Sequence, residues 1–552
     1  RSEPPASNCG GEEGIIVTAI APPTPRLFVR KTSGLIRTIG VGGAIVFGVH
    51  CISLSSSGIL TFYSVPGLWP GANIVVVLTL SAILCGMHGY TFSQIGAAAP
   101  RAGADYTLAS RTLSPWLAFP ASFALVLFSG LVAGSLIAWI PTVALPAFLR
   151  ATGILYEQAW ATDLATFSQS QAGILIFGTA GVLITLISLF FPTRTVVRFM
   201  GIGFVLGLAA WAVILFAFAT GSAETFQANW DKYVPGGPYA QVIPTAEANG
   251  LVFDRSFTNT AVAGLIMGFW IFYGYYIPTF FAGEVKEAPR TLLWGARGSL
   301  AVTWAIFTGG VLLFTRFVPQ DWMAAEGYLF IRGVQGFDSN PFVTFYASVL
   351  QPNVVFFLIM AGGFIYTLIN LAQTYFFYAS RIMFAWSFDR IVPEWISNVH
   401  AETGSPRNAV LLIAVLAEIG VLASAFYSAL FVQLNFVFYA AITMIVPIVA
   451  AIVYPYRKRH LWEQGAGHVK AMIFGLPSMT VVGIGTLAFI LLLVASPFLW
   501  PAVGFGDQQG QALAIFGVIV LAGLLIFAAA RWYRQSREGI DIMATFQEIP
   551  PA

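Results

Sequence analysis

The sequence predicts an all-α integral membrane protein with twelve transmembrane helices, and three observations carry that expectation. The first is composition. Of 552 residues, 57% are apolar and only 9% charged, against about 25% charged in an ordinary soluble domain. So few charges cannot coat a soluble protein of this size, so lipid must cover much of the surface. The second is segmentation. Twelve apolar stretches have about the 20 residues that cross a bilayer core: 38–62, 72–97, 115–142, 171–191, 196–220, 257–282, 295–317, 341–380, 407–427, 430–454, 473–498 and 511–531. The third is charge placement. With the N-terminal segment inside, 21 Lys and Arg from Arg26 onward fall in inner segments. Only Arg150, Lys232, Arg255, Arg316 and Arg332 fall in outer ones. This is the positive-inside pattern, and one miscounted helix would scramble it.

These spans divide the chain. Residues 1–34 are rich in Pro, Gly and Glu and lack the apolar core of a signal peptide, so a disordered cytoplasmic tail is expected. The first residue is Arg, as in a processed or partial chain. Residues 35–220 hold spans one to five, 221–256 an external loop, and 257–455 spans six to ten. An inner loop follows at 456–472, then the last two spans at 473–531 and an inner tail at 532–552. The eighth stretch is too long for one span, and its helix is expected to start near Pro352.

The first span is unusual. Its middle, His50 to Gly58, contains Ser53, Ser55, Ser56 and Ser57, which weaken a helix by competing for its backbone groups. A break there would start a second half near Ser57, its free N–H groups and positive dipole end aimed at an anion. The backbone freed by a break must face protein or a water-filled cavity. An intact helix packed through small residues fits the same residues. The sixth span clusters Trp270, Phe272, Tyr273, Tyr275 and Tyr276 around Gly274, with Pro278 following. Proline removes a donor and disfavours the preceding turn, so a second break is plausible. An aromatic belt is the other reading, and the mid-span position fits it poorly. Interrupted helices at matching places in two halves point to an inverted repeat, spans one to five and six to ten, around a central binding site.

Other chemistry is hard to find. Gly40-Val-Gly-Gly lacks the Gly-Lys-Ser/Thr of a phosphate loop. Cys9, Cys51 and Cys85 have no metal-site spacing and read as unpaired, with a disulfide as the alternative. No catalytic triad or metal constellation stands out, and the net charge of +3 does not point to nucleic acid. The sequence is not that of an enzyme, and no cofactor is expected.

Four motifs resemble the amino acid–polyamine–organocation permeases. Ser56-Ser57-Gly58-Ile59-Leu60 is similar to the Gly-Ser-Gly-Ile-Phe of that family's broken first helix. Pro100-Arg101-Ala102-Gly103-Ala104-Asp105-Tyr106 is similar to the stretch after its second. Gly283-Glu284-Val285-Lys286 with Pro289 is similar to the stretch after its sixth. Ser380-Arg381, Asp389-Arg390-Ile391-Val392-Pro393 and Gly404-Ser405-Pro406 resemble the signature closing its eighth. The resemblance covers roughly residues 35–535. The later Gly539-Ile540-Asp541 and Glu548-Ile549-Pro550-Pro551 are also similar to tails of prokaryotic members.

The resemblance implies a LeuT-like 5+5 inverted repeat with discontinuous helices 1 and 6 and two further helices at the end. It implies an amino acid, or a related amine, as substrate. The carboxylate would meet the N–H groups of Ser56, Ser57 and Gly58. The ammonium would meet the carbonyls of Leu54, Trp270 and Tyr273 beside Gly274, with Trp270 as an aromatic gate. Helix ends supply both sets of partners without a buried unpaired charge.

The sequence departs from the family in several places. Ser56 replaces the first Gly of the first-break motif. Tyr276 stands where some members carry an acid used in proton-linked release. No lysine follows Arg198 in the fifth span. Coupling to H+ or Na+ therefore points elsewhere. His50, His88 and Glu418 are the ionisable residues inside the spans apart from Tyr and Cys. His50 is the first proton candidate because its helix would form the site, although a neutral hydrogen-bonded His in the bundle is the more ordinary reading. Glu418 reads as neutral or paired, and His88 as a packing residue. A sodium site would need Ser or Thr hydroxyls on the eighth helix near the first break; Thr367 and Thr374 are present there but match poorly. Asp105, Glu284 and Arg381 read as inner-gate or loop-bracing residues.

The expected function is alternating-access transport of a neutral amino acid or amine across the cytoplasmic membrane, both terminal segments inside. A non-transporting sensor or scaffold subunit and a passive channel are the alternatives. The sequence leaves the oligomeric state and any partner subunit open.

Overall fold

A computed structural model describes residues 34–234, 237–334, 341–400, 403–426, 436–500 and 509–550. The expected tail at 1–34, apart from Gly34, and Cys9 with it, lies outside the described residues.

Helix α1 (Val41–Ile52) and α2 (Ser56–Leu68) form the first interrupted span, bent by 44°. Next come α3 (Ile74–Ala98) and the short inner α4 (Ala104–Thr112). Helix α5 (Pro115–Trp139) passes through a π-helical turn, Ile140–Ala144, into α6 (Leu145–Tyr156), so the third span is longer than the expected 115–142. Then follow α7 (Ala159–Gln169), α8 (Gln171–Ser188) and α9 (Thr193–Thr220). The loop at 221–256 holds two helices, α10 (Ala223–Tyr233) and α11 (Val242–Ala248).

The sixth segment begins as α12 (Phe257–Phe272). It does not continue as α-helix to residue 282. Only the short 3-10 turns Ile277–Phe280 and Ala282–Glu284 follow, because Gly274 adopts φ +130° and Pro278 has no N–H to donate. Helices α13 (Ala288–Thr315), α14 (Gln320–Arg332) and α15 (Val343–Leu350) come next. The long α16 (Val354–Phe388) starts just after Pro352, where the sequence placed it. The chain ends with α17 (Arg407–Phe426), α18 (Phe436–Arg457), α19 (Arg459–Glu463), a two-stranded hairpin (Met472–Ile473 with Leu476–Pro477), α20 (Ser478–Leu499) and α21 (Gln509–Glu538).

Local chemistry sets the helix starts. Asn73 accepts from the Val76 N–H at 3.1 Å, Ser170 from Gly173 at 3.1 Å and Asn353 from Val355 at 2.9 Å. Each satisfies a donor that a helix N-terminus leaves open. Among the described residues, ten helices are long and apolar enough to cross a membrane, eleven with the bent α1–α2 pair taken as one span. α12 is apolar but has only 16 residues. Many large apolar side chains face outward, including Ile176, Leu183 and Ile187 of α8 and Val518, Leu521 and Leu525 of α21. In water such faces would be unstable; against lipid they are the expected surface. The chain is therefore an all-helical, multi-pass membrane protein.

Candidate functional site

Both interrupted segments break at the centre of the molecule, and they touch. α1 closes with the Ser53 N–H bonded to the Val49 carbonyl at 2.8 Å. Ser53 then takes φ 66°, ψ 106°, a conformation that L residues rarely adopt and that clusters at functional sites. α2 restarts at Ser56. Across from it, Gly274 lies so close to the end of α1 that a Cβ there would sit 2.5 Å from the Cys51 Cβ and 2.7 Å from the Ile52 nitrogen. Only glycine fits both that contact and the backbone angle.

A cavity of about 100 Å³ lies between the breaks. Cys51, Ile52, Ser56, Ser57 and Leu60 line it from the first segment, and Trp270 and Tyr273 from the second. Val132, Leu136 and Trp139 of α5 and Leu371 and Tyr375 of α16 complete the wall. Among the described residues, no charged side chain lines it. The N–H groups of Ser56 and Ser57 reach only Ser53, at 3.2 Å each, through its hydroxyl and carbonyl oxygens. Both bonds lie at the long end of the ordinary range, and a carboxylate at this helix N-terminus could compete for those donors. The Ser57 hydroxyl donates to the Ile52 carbonyl.

The remaining sequence-predicted residues fall in different places. Gly58 does not face the cavity: the Trp211 ring of α9 lies where its Cβ would be, 2.5 Å away. Leu54 is likewise turned to α9, and its carbonyl accepts from Trp211 Nε1 at 2.8 Å. Neither lines the wall, because the bend rotates this face of the segment onto α9. The Trp270 carbonyl accepts the Tyr273 N–H at 3.4 Å, a longer and weaker bond. Trp270 itself is 37% exposed, which marks the end at which the cavity approaches the surface.

The coupling candidates also separate. His50 Nε2 lies 2.7 Å from the Met200 carbonyl, pointing at α9 rather than into the cavity. Glu418 accepts from Thr179 at 2.7 Å, between α17 and α8. Tyr276 packs beneath the cavity among Tyr273, Tyr275, His88 and Phe280. His88 stacks on Phe92 with centroids 4.4 Å apart and its Nδ1 is 2.9 Å from the Tyr275 hydroxyl, so it meets the second break. Thr367 reaches the first break directly, its hydroxyl 3.0 Å from that of Ser55. Thr374 instead donates to the Asn370 carbonyl of its own helix.

The end opposite Trp270 is sealed in two layers. Phe47, Phe281 and Phe377 meet with centroids 4.8 to 5.0 Å apart. Below them Arg381 Nε donates to Glu284 at 2.7 Å, both side chains 1% exposed, with the guanidinium 3.6 Å above Phe377. The Glu284 carbonyl accepts from Thr38 and Ile39 at 3.0 and 3.1 Å, tying the layer to the start of the first span. On α4, Asp105 is buried facing α5 and α18, one carboxylate oxygen without a partner among the described residues. Desolvation pushes its carboxyl up to about 7.

Sequence reasoning missed the α5 and α16 walls and Trp211. Residues 132, 136 and 139 share one helix face, but in a span that is apolar all round nothing distinguishes a cavity wall from a lipid face.

The model of a protein family described as amino acid permease matches residues 39–525. No curated protein matches the chain.

Proposed function

This chain belongs to the amino acid permease family, and on that footing we propose that it is a secondary transporter moving a neutral amino acid by alternating access. The observation that carries this reading is the contact of two broken helices over one cavity, Gly274 against Cys51 and Ile52. A zwitterion needs donors at one end and acceptors at the other. Ser56 and Ser57 at the head of α2 offer the donors, and the carbonyl end of α12 at Trp270 and Tyr273 offers the acceptors. Most of the remaining wall, Ile52, Leu60, Val132, Leu136, Trp139 and Leu371 beside Cys51 and Tyr375, is apolar, which favours an apolar side chain.

The same reading takes the spans as two five-helix repeats plus two further helices, twelve in all, in the cytoplasmic membrane with both terminal segments inside. The Trp270 end then faces outward, and the Glu284–Arg381 end is the closed inner side. An ion gradient of H+ or Na+ drives the cycle. Thr367 and Ser55, bonded to each other at the first break, support a cation site there better than His50 or Glu418, which bond to neighbouring helices.

The test is uptake of a labelled amino-acid panel into proteoliposomes, with saturable counterflow to exclude a channel. Neutral apolar amino acids are expected to compete, and Trp270→Ala to cut uptake by about tenfold or more, the loss of roughly 1.4 kcal/mol of transition-state or binding energy. Undiminished flux in that variant would refute the site.

A further inference from the structure

We propose that residues 541–550 form a strap that holds the Arg381 end shut and must lift for that end to open. This rests on the alternating-access reading above, to which it adds a control element. The motifs Gly539-Ile540-Asp541 and Glu548-Ile549-Pro550 take no part in the cavity, yet they are folded back onto the protein in detail. Gly539, at φ +66°, reverses the chain after α21, and the Ile540 N–H bonds to the Arg534 carbonyl at 3.0 Å. Asp541 caps the 3-10 turn Ile542–Gln547 by accepting from the Met543 N–H at 3.0 Å. Ile542 and Thr545 are wholly buried. Phe546 is held between Phe527 of α21 and the Arg111 guanidinium, 5.0 Å from its ring.

The strap's partners are the elements that seal this end. Arg111 Nε donates to the Glu548 carbonyl at 3.2 Å, and Arg101 Nε to the Pro550 carbonyl at 2.7 Å. Arg111 also grips Asp389, at the end of α16, through two bonds of 2.6 and 2.7 Å, and the Tyr106 hydroxyl adds a third at 2.7 Å. The loop that carries Arg101 is joined to the chain after the second break. The Gly103 N–H donates to the Phe280 carbonyl at 2.7 Å, and Ala102 pairs with Phe281. On the other flank, Arg534 of α21 donates to the Arg390 carbonyl just beyond α16 at 3.1 Å.

A clamp across a seam results. Opening this end requires Phe281 to part from Phe377 and Glu284 from Arg381. The loop 99–112 must then move with Phe280 and Phe281, while α21 stays tied to α16. Arg101 can move only by releasing the strap, and Arg111 only by releasing both the strap and Asp389. A segment held by two apolar anchors and backbone carbonyls is suited to local release without global unfolding.

The test uses the full chain in sealed proteoliposomes, in a Cys9→Ser, Cys85→Ser background that leaves Cys51 as the reporter in the cavity wall. A membrane-impermeant maleimide is added on the side carrying the strap, that side being identified by labelling of a Lys470→Cys control. Phe546→Ala is expected to raise the Cys51 labelling rate from this side severalfold, by shifting the population toward the open state. Arg101→Gln, which removes the bond to Pro550, should give a smaller rise in the same direction. Unchanged labelling in a variant that melts at the parent temperature would overturn the strap, and Arg101→Gln decides alone if Phe546→Ala does not fold. Failure of the parent to transport any amino acid, with labelling still raised in the variants, would sink the transporter reading and leave the strap standing.

Discussion

Gly274 is the residue on which the geometry of the cavity turns. Its φ of +130° and its contact with Cys51 and Ile52 exclude any side chain. Gly274→Ala adds a methyl group 2.5 Å from the Cys51 Cβ. A clash of that kind typically costs about 1–3 kcal/mol, and the disfavoured backbone adds to it. The expected outcome is loss of substrate-induced thermal stabilisation and of uptake, with the protein still inserted in the membrane. Gly86→Ala, which meets nothing within 4 Å, should behave as the parent. Equal binding in the two variants would mean that the two breaks need not touch. The sequence marked Gly274 as a candidate break through its neighbours Tyr273, Tyr275 and Pro278. It could not show that the glycine is required by contact with α1, because that contact joins residues more than 200 apart in the chain. Gly58 shows a second need for glycine: the space its missing side chain leaves is filled by the Trp211 ring.

Between elements, the seal at the Arg381 end is an ionic lock among the first span, the segment after the second break and α16. Arg381 and Glu284 are both 1% exposed, so removing one charge leaves the other buried and unpaired. Glu284→Gln should therefore lower stability by about 3–5 kcal/mol, read as a fall in melting temperature in detergent. The exposed pair Arg290 and Glu287, 3.6 Å apart, provides the control. Arg290→Gln is expected to change stability by no more than about 0.5 kcal/mol. Similar effects from both substitutions would show that the buried pair is not a lock. Sequence motifs brought Glu284 and Arg381 to notice separately, each as a gate or brace. Their pairing was not legible, because it depends on how α16 lies against the chain after the second break.

For the molecule as a whole, Asp105 makes stability depend on pH in a definite direction. Its carboxyl is raised to about 7 by desolvation, so the folded state holds the proton more tightly than the unfolded chain does. The fold is then least burdened below pH 4. Stability falls as pH rises from the ordinary carboxylate value toward 7, and levels off above it. Asp105→Asn removes this penalty. The variant should match the parent near pH 4 and exceed it at pH 8, by up to about 4 kcal/mol if the whole shift is realised. A melting-temperature difference that stays constant across that range would show that Asp105 is solvated. On the same scale, the apolar composition, the spacing of hydrophobic segments and the alternation of Lys and Arg determined a multi-pass helical protein. These properties answer to the bilayer, which acts on each segment separately. The Ser-rich and Gly-Tyr-Tyr-Pro interruptions showed where the helices would fail, since helix propensity is local. Only the tertiary structure decided which faces of α5 and α16 wall the cavity, that Leu54 and Gly58 turn to Trp211, and that residues 541–550 return to Arg101 and Arg111. Each of these is a contact between distant segments in an interior where apolar residues look alike from every side, so no period or motif in the chain could encode it visibly.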